Sequence, residues 1–460
     1  MGALQFKSRA RHVEWLAREW AALDPRSEME AEALELPLAA VAVLVVRQQR
    51  QLRRANILVR LLLAPVVAAR RRRLRRCQAV LRVLLGEYLR LLTFEPVQAQ
   101  LYVARNTTID GIDAGSFAIN FRFRSADVLH RLKDRLHVPL VFRTPSRHVF
   151  TGEELLLMLL YRLKSPEHLA KVGQFFGAAS RYKAISKGLH AFRPWFLRSW
   201  AYLVLDNLDE LVPKLQGFSE VIRTKMEENS ATVGPNNPNP AALTWPPMDP
   251  QTGQGFNVAL FVDGALHAGA RPGGGPVREG TQAPRVDDRV QQAFYAGRKK
   301  LHGLNMQIVG GPDGIVASAF QPVSARRHDA LVYALSHFNP NLRDAQLGNV
   351  MQFKVFGDSA YPSLSHTTKN LPNVPGGTHY AYNSVRECIE WDWRDIKHYW
   401  ARSSARAWLQ IRKKPTSVCD DMMCTVIFAN LYTTVYGNQT SRYFNLLPPT
   451  LEEYTSQGPR

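Results

Sequence analysis

Two aspartates in this chain close apolar runs in the same way. Asn257-Val258-Ala259-Leu260-Phe261-Val262-Asp263-Gly264 and Lys354-Val355-Phe356-Gly357-Asp358-Ser359-Ala360-Tyr361-Pro362 each deliver one carboxylate from a short apolar strand. In the second run Gly357, Ser359 and Pro362 are turn residues, and a strand does not continue through the proline. An ionised acid at the end of a buried strand is costly unless a metal, a cation or hydrogen bonds compensate it. Downstream, 382–400 reads as a helix that carries Glu390 among large apolar residues. Asp263, Asp358 and Glu390 are therefore expected to converge around divalent metal. Three carboxylates can hold two Mg²⁺ ions ~3.5–4 Å apart, one activating an attacking water or hydroxyl and the other steadying the leaving oxygen. Mg²⁺ prefers such hard oxygen ligands to cysteine, and Mn²⁺ is the alternative ion.

The elements that must position these acids begin at Asn257, where the pattern becomes mixed α/β. The first strand ends at Asp263 and leads into a loop over 264–284 rich in glycine and proline. A strand over 304–309, the turn Gly310-Gly311-Pro312-Asp313-Gly314 and a strand over 315–320 form a hairpin. A helix over 328–336, the strand ending at Asp358, the Glu390 helix and an apolar segment over 422–436 complete the series. The acids then stand at the ends of the first and fourth strands and on the following helix. This is the ribonuclease H-like arrangement. Asp329 is the main rival for a metal position and reads as an acid at a helix N-terminus. Lys299, Lys300 and His302 suit contact with a phosphate, and equally well the basic edge of a hairpin.

At 460 residues the chain exceeds one ordinary core, so two or three domains are expected. Its net charge of +20 and pI near 10.0 imply a polyanionic partner, nucleic acid before membrane. A merely soluble basic protein would carry the same charge. Eleven arginines and no acid fall within 47–76. The block over 70–76 suits a nuclear-import signal or a phosphate-contacting arm, and as readily a solvated basic helix face; a membrane-surface helix is less favoured. No apolar run near it approaches the ~18 uncharged residues of a membrane span. Cys77, Cys388, Cys419 and Cys424 form neither a disulfide framework nor a zinc spacing, so reduced thiols in the cytosol or nucleus are expected.

Residues 118–228 read as all helix. Thr151-Gly152-Glu153-Glu154 fits a capping box, with Thr151 at the N-cap and Glu154 at the third helical position. Ser165-Pro166 starts a second helix, which stops near Phe175-Phe176-Gly177. A third starts near Ser180 and carries Arg181, Lys183, Lys187 and His190. This is the layout of a helix-turn-helix DNA reader, and plain helical bundles share it. The expected organisation is a basic helical region over 1–117, the helical domain over 118–228 and an Asn/Pro/Gly-rich linker over 229–256. A ribonuclease H-like domain over 257–445 and a tail over 446–460 follow.

Residues 257–400 resemble the catalytic domain of the PIF/Harbinger-type DDE transposases. The resemblance is carried by Val262-Asp263-Gly264, Arg271-Pro272, Tyr295-x-Gly297-x-Lys299-Lys300-x-His302 and Gly314. It continues through Arg327-His328-Asp329, Gly357-Asp358-Ser359-Ala360-Tyr361-Pro362 and Arg386 four before Glu390. Departures are Ala265 in place of the usual Thr or Ser, a long interval from Asp263 to Asp358, and Trp393-Arg394 in place of Phe-Gly. The resemblance implies a divalent-metal-dependent DNA endonuclease and strand transferase cutting at transposon ends, with Asp263, Asp358 and Glu390 catalytic. It also implies double-stranded DNA partners (terminal repeats and target site), a homo-oligomer, a separate DNA-binding partner protein and a nuclear location. The alternatives are a domesticated DNA-binding or interaction protein without catalysis, and a cellular nuclease with no element of its own. If the arginine-rich stretch contacts phosphates, deleting residues 1–100 flattens the log–log salt dependence of DNA binding by ~0.9 per lost contact. An unchanged slope would leave the stretch as a targeting signal or a solvated face.

Overall fold

A computed structural model describes residues 107–205, 207–231, 257–271, 288–347, 352–364, 366–369, 376–403 and 415–460. The arginine-rich stretch over 47–76 and most of the linker over 229–256 lie outside these residues. The helical part contains α1 (Ser116–Phe121), α2 (Ala126–Arg135), α3 (Gly152–Lys164), α4 (Leu169–Phe175), α5 (Tyr182–Trp200), the short α6 (Tyr202–Leu205) and α7 (Leu208–Leu211), and α8 (Leu215–Ala231). It is not all helix. A hairpin, β1 (Val141–Arg143) with β2 (Val149–Thr151), precedes α3 and pairs Val141 with Thr151. The second helix begins at Leu169 after His168, so Ser165-Pro166 is an extended lead-in and not its first turn.

The sheet follows. Strand β3 (Asn257–Ala268) is succeeded by α9 (Asp288–Ala293), β4 (Tyr295–Ala296), β5 (Leu301–Gly310) and β6 (Val316–Ser324). Next come α10 (Asp329–Ser336), α11 (Phe338–Ala345), β7 (Phe353–Gly357) and β8 (Thr367–Lys369). The chain ends with α12 (Gly376–Tyr399), α13 (Pro415–Tyr436), α14 (Gln439–Tyr443) and α15 (Leu451–Tyr454). Strand β3 runs antiparallel to β5, which runs antiparallel to β6, while β7 joins β3 in parallel and β8 joins β7 in parallel. The mixed sheet, with helices on both sides, fits a ribonuclease H-like domain. The first strand is longer than its sequence suggests. It continues through Asp263-Gly264 to Ala268 because Gly264 to Ala268 pair with Gln307 to Gly303 of β5. The hairpin of β5 and β6 turns at Gly314, whose φ of +78° favours glycine.

The sheet is buried on both faces, which explains the unbroken apolar reading of β3 and β7. On one face Phe261, Ala265, Ile308 and Phe356 pack with Val385, Ile389 and Trp393 of α12 and with α13. On the other, Leu260, Val262, Val309 and Val355 pack with Tyr333, Phe338 and Leu342 of α10 and α11 and with Leu215 and Phe218 of α8. The first of these cores continues into the helical part: Phe196 of α5 stacks on Phe428 of α13 with ring centroids 4.9 Å apart. Asp421 of α13 is buried between two cations, an ion pair with Arg193 of α5 and a 2.9 Å bond from Arg402 Nε. Burial alone would raise the pKa of Asp421, but the two arginines hold it below the usual carboxylate range. Among the described residues Cys388, Cys419 and Cys424 are free thiols, and no helix is long and apolar enough to cross a membrane.

The capping box at α3 is half formed. Thr151 Oγ1 accepts from Glu154 N at 3.1 Å, as expected, but the Glu154 carboxyl does not return the bond. The chain just ahead of the hairpin lies close to the first helical turn, where a Cβ at Gly152 would stand 2.0 Å from Pro139 O, and the Glu154 side chain is fully buried. Burial pushes its pKa up from 4.5 to about 8. A carboxyl whose folded pKa lies above its unfolded value binds its proton more tightly when folded. Its contribution is therefore complete at low pH and is lost as pH rises from about 4.5 to about 8. Glu154→Gln should stabilise the protein at pH 9 by roughly 2–4 kcal/mol and have little effect at pH 4. Thermal melts across that range check this, and parallel pH profiles for variant and parent would contradict it.

Candidate functional site

The parallel pairing of β3 with β7 sets Phe261 opposite Phe356. Asp263 lies two residues beyond the first, still within β3, and Asp358 two residues beyond the second, just past the end of β7. Strand β7 ends at Gly357, and Asp358 begins the turn, its Oδ1 accepting from Ala360 N at 2.8 Å. Asp263 and Phe261 share the face covered by α12, since Gly310, paired with Phe261, has Ile389 and Asp392 directly over it. Helix α12 is fixed to this spot by Trp393, whose indole Nε1 donates to Asp263 O at 3.3 Å. His267, further along β3, meets the same indole edge-on, with ring centroids 5.3 Å apart. Trp393, a departure from the family pattern, is thus the residue that seats the helix.

Glu390 is one turn before Trp393, on the exposed side of α12. Its Oε1 accepts from Arg386 Nη2 at 2.8 Å. Arg386, Glu390, Trp393 and Lys397 follow at spacings of four, three and four, which is one helix face. Burial and the surrounding charges together set the state of Asp263. Burial is the largest cause of a pKa pushed up to about 7; the Arg386 guanidinium opposes it, and Asp358, Glu390 and Asp329 add to it. Lys397, also partly buried, is lowered by desolvation and raised by Asp263. Asp358 and Glu390 therefore both lie within electrostatic reach of Asp263. Among the described residues, however, no three Asp, Glu, His or Cys side chains are grouped closely enough to hold an ion. The donor chemistry suits Mg²⁺ or Mn²⁺: hard anionic oxygens with surplus negative charge at a partly buried site.

Asp329 occupies the opposite face of β3. It is the first residue of α10, behind the N-cap His328, but its carboxylate turns to the sheet, where Oδ1 accepts from Asn305 Nδ2 at 2.8 Å. A Cβ on Gly264 would lie 2.4 Å from that Oδ1 and 3.4 Å from the Tyr361 hydroxyl. This close approach, and not a turn, is what requires glycine after Asp263. The Tyr361 hydroxyl is fully buried without a hydrogen-bond partner among the described residues. Burial, followed by Asp329, Asp263 and Asp358, raises its pKa strongly.

The remaining candidates lie apart from the acids. Lys299 and Lys300 are exposed in the turn between β4 and β5, and the His302 ring is 5.1 Å from that of Tyr295. Ala268 pairs with Gly303 roughly 17 Å along the strand from Asp263, and this turn lies beyond that pair. Arg181, Lys183 and Lys187 are exposed at the start of α5, whose other side buries Ile185, Leu189 and Phe192. Sequence reasoning gave Arg386 no role, although an arginine four residues before a glutamate on a helix signals an ion pair.

Residues 280–430 match the family of the DDE superfamily endonuclease. No curated protein and no solved structure matches the chain. The matched segment contains Asp358, Glu390, Arg386 and Trp393 and begins after Asp263. It supports a DDE transposase-like nuclease, a superfamily whose members generally use divalent metals and act on DNA. Gly264→Ala should destabilise the protein by roughly 1–3 kcal/mol through its clash with Asp329. Asp329→Ala in the same chain should recover part of that loss. Additive losses in the melts of the two single variants and the double variant would show that the two positions do not meet.

Proposed function

We propose that this chain is a divalent-metal-dependent DNA endonuclease and strand transferase of the PIF/Harbinger type, with Asp263, Asp358 and Glu390 as its catalytic carboxylates. The observation that supports the reading is the parallel register of β3 and β7: Asp263 and Asp358 each follow the Phe261–Phe356 pair by two residues. The family match over Asp358 and Glu390 supports it.

Bound cations, two in this reading, would supply an activated water or 3′-hydroxyl and charge stabilisation at the leaving oxygen. The chain's own residues do the rest. Asp263 on β3 and Asp358 just past β7 would hold the ions, and Glu390 would complete the set from α12. The two-sided burial of β3 keeps the Asp263 carboxylate from drifting, and Trp393 keeps α12 over it. The exposed Arg181, Lys183, Lys187, Lys299 and Lys300, with His302, are proposed to guide double-stranded DNA by phosphate contacts. Transposon terminal repeats and a target site are the proposed substrates, in the nucleus, with a homo-oligomer and a separate DNA-binding protein assembling on them.

Asp358→Asn keeps size and most hydrogen bonding but removes the charge that holds the ion. Nicking of DNA ends carrying the cognate repeat should fall at least ~100-fold, while DNA binding survives or tightens. Asp263→Asn and Glu390→Gln should behave alike. Wild-type protein unable to nick such DNA with Mg²⁺ or Mn²⁺ would leave a binding module without catalysis. Equal nicking by Asp358→Asn would put the metal site elsewhere.

A further inference from the structure

A cleft of about 600 Å³ lies between the α6–α8 segment and residues 446–457, and none of the proposed catalytic acids lines it. Pockets of ~300–1,000 Å³ usually hold a small organic ligand or a long side chain. The buried charge in its lining is Asp313, in the turn between β5 and β6, which is only 5% exposed. Its Oδ1 accepts from Ile315 N at 3.1 Å, and no cation pairs with the carboxylate among the described residues. Burial pushes its pKa up to about 6, opposed by the Ile315 N–H and then by Lys214. A buried carboxylate without a counter-charge is costly. A second acceptor in the lining is also unmet: Asn207 Oδ1 is buried without a hydrogen-bond partner among the described residues.

The rest of the lining has the same bias. Glu210 and Glu453 are exposed at its edge, so three carboxylates face one cation, Lys214. Two tyrosines also line the cleft with their hydroxyls already engaged. Tyr202 donates to Gly458 O at 2.8 Å, and the Tyr454 hydroxyl accepts from Asn430 Nδ2 at 2.8 Å. Their rings are what a ligand meets. The Tyr202 ring already carries a guanidinium, that of Arg460, 4.2 Å from its centroid, yet Arg460 is not part of the cleft lining. Excess acceptors call for a cation rich in N–H donors, and aromatic rings favour a flat one, which an ammonium is not. Leu203 and Leu446, also in the lining, match an aliphatic stem. We propose that this cleft binds an alkylguanidinium, the chemistry of an arginine side chain, with Asp313 as its buried counter-ion.

Calorimetric titration of the full-length chain with n-butylguanidinium and with the capped peptide acetyl-Gly-Arg-Gly-amide tests this. Each probe is set beside its neutral analogue, n-butylurea or the citrulline peptide. At least one guanidinium probe should bind with a Kd below ~1 mM. Its neutral analogue should bind at least ~10-fold more weakly. Tighter binding of the peptide assigns the cleft to an arginine of a partner protein, and tighter binding of n-butylguanidinium assigns it to a free small cation. Asp313→Asn keeps an oxygen for Ile315 N and should weaken the guanidinium at least ~10-fold. Lys214→Gln, at an exposed position, removes the competing cation and should tighten it ~2–5-fold, a gain that a misfolded variant does not produce. No binding of either probe, equal binding of the neutral analogues, or unchanged affinity in Asp313→Asn would overturn the proposal. So would unchanged or weaker affinity in Lys214→Gln.

Discussion

The parallel register of β3 and β7 is the constraint on which the rest depends. Asp263 and Asp358 each follow the Phe261–Phe356 pair by two residues, Asp263 inside β3 and Asp358 at the turn after β7. A slip of one residue would turn one of the two acids to the opposite face. The register is held by apolar side chains on both faces, from α12 and α13 on one side and from α8, α10 and α11 on the other. Packing far from the acids therefore sets their spacing. The helical part contributes to the same end, because α5 stacks on α13 and shares the buried Arg193–Asp421–Arg402 ion network.

Bringing carboxylates together in a partly buried place is electrostatically unfavourable, and the local geometry shows how the cost is limited. Asp358 takes a backbone N–H, Asp329 takes the Asn305 amide from behind the strand, and Glu390 takes Arg386. Asp263 feels all of the others as well as its own burial, and its pKa is pushed up to about 7. Near neutral pH its proton is thus poised for displacement by a stronger positive charge. A divalent cation is such a charge.

Much of this was legible in the sequence, for identifiable reasons. The apolar runs before Asp263 and Asp358 mark strands buried on both faces, and the Gly310 to Gly314 turn marks a hairpin. What was hidden depends on tertiary contact. Strand β3 passes through Gly264 because β5 pairs with it and Asp329 crowds it, whereas a lone Asp-Gly reads as a stop. The three-residue strands β1, β2 and β8 are too short to leave a periodicity. Glu154 has the spacing of a capping residue, but its carboxyl is buried instead, without a hydrogen-bond partner among the described residues. Trp393 looked like a departure from a pattern and is the hydrogen bond that seats α12.

The central claim is that Asp263 and Asp358 face one cation-binding space under α12. Anomalous diffraction from crystals soaked in Mn²⁺ tests it most directly. The account predicts an anomalous peak in contact with carboxylate oxygens of both Asp263 and Asp358. A peak bound elsewhere, or full-occupancy Mn²⁺ that touches neither acid, would contradict it.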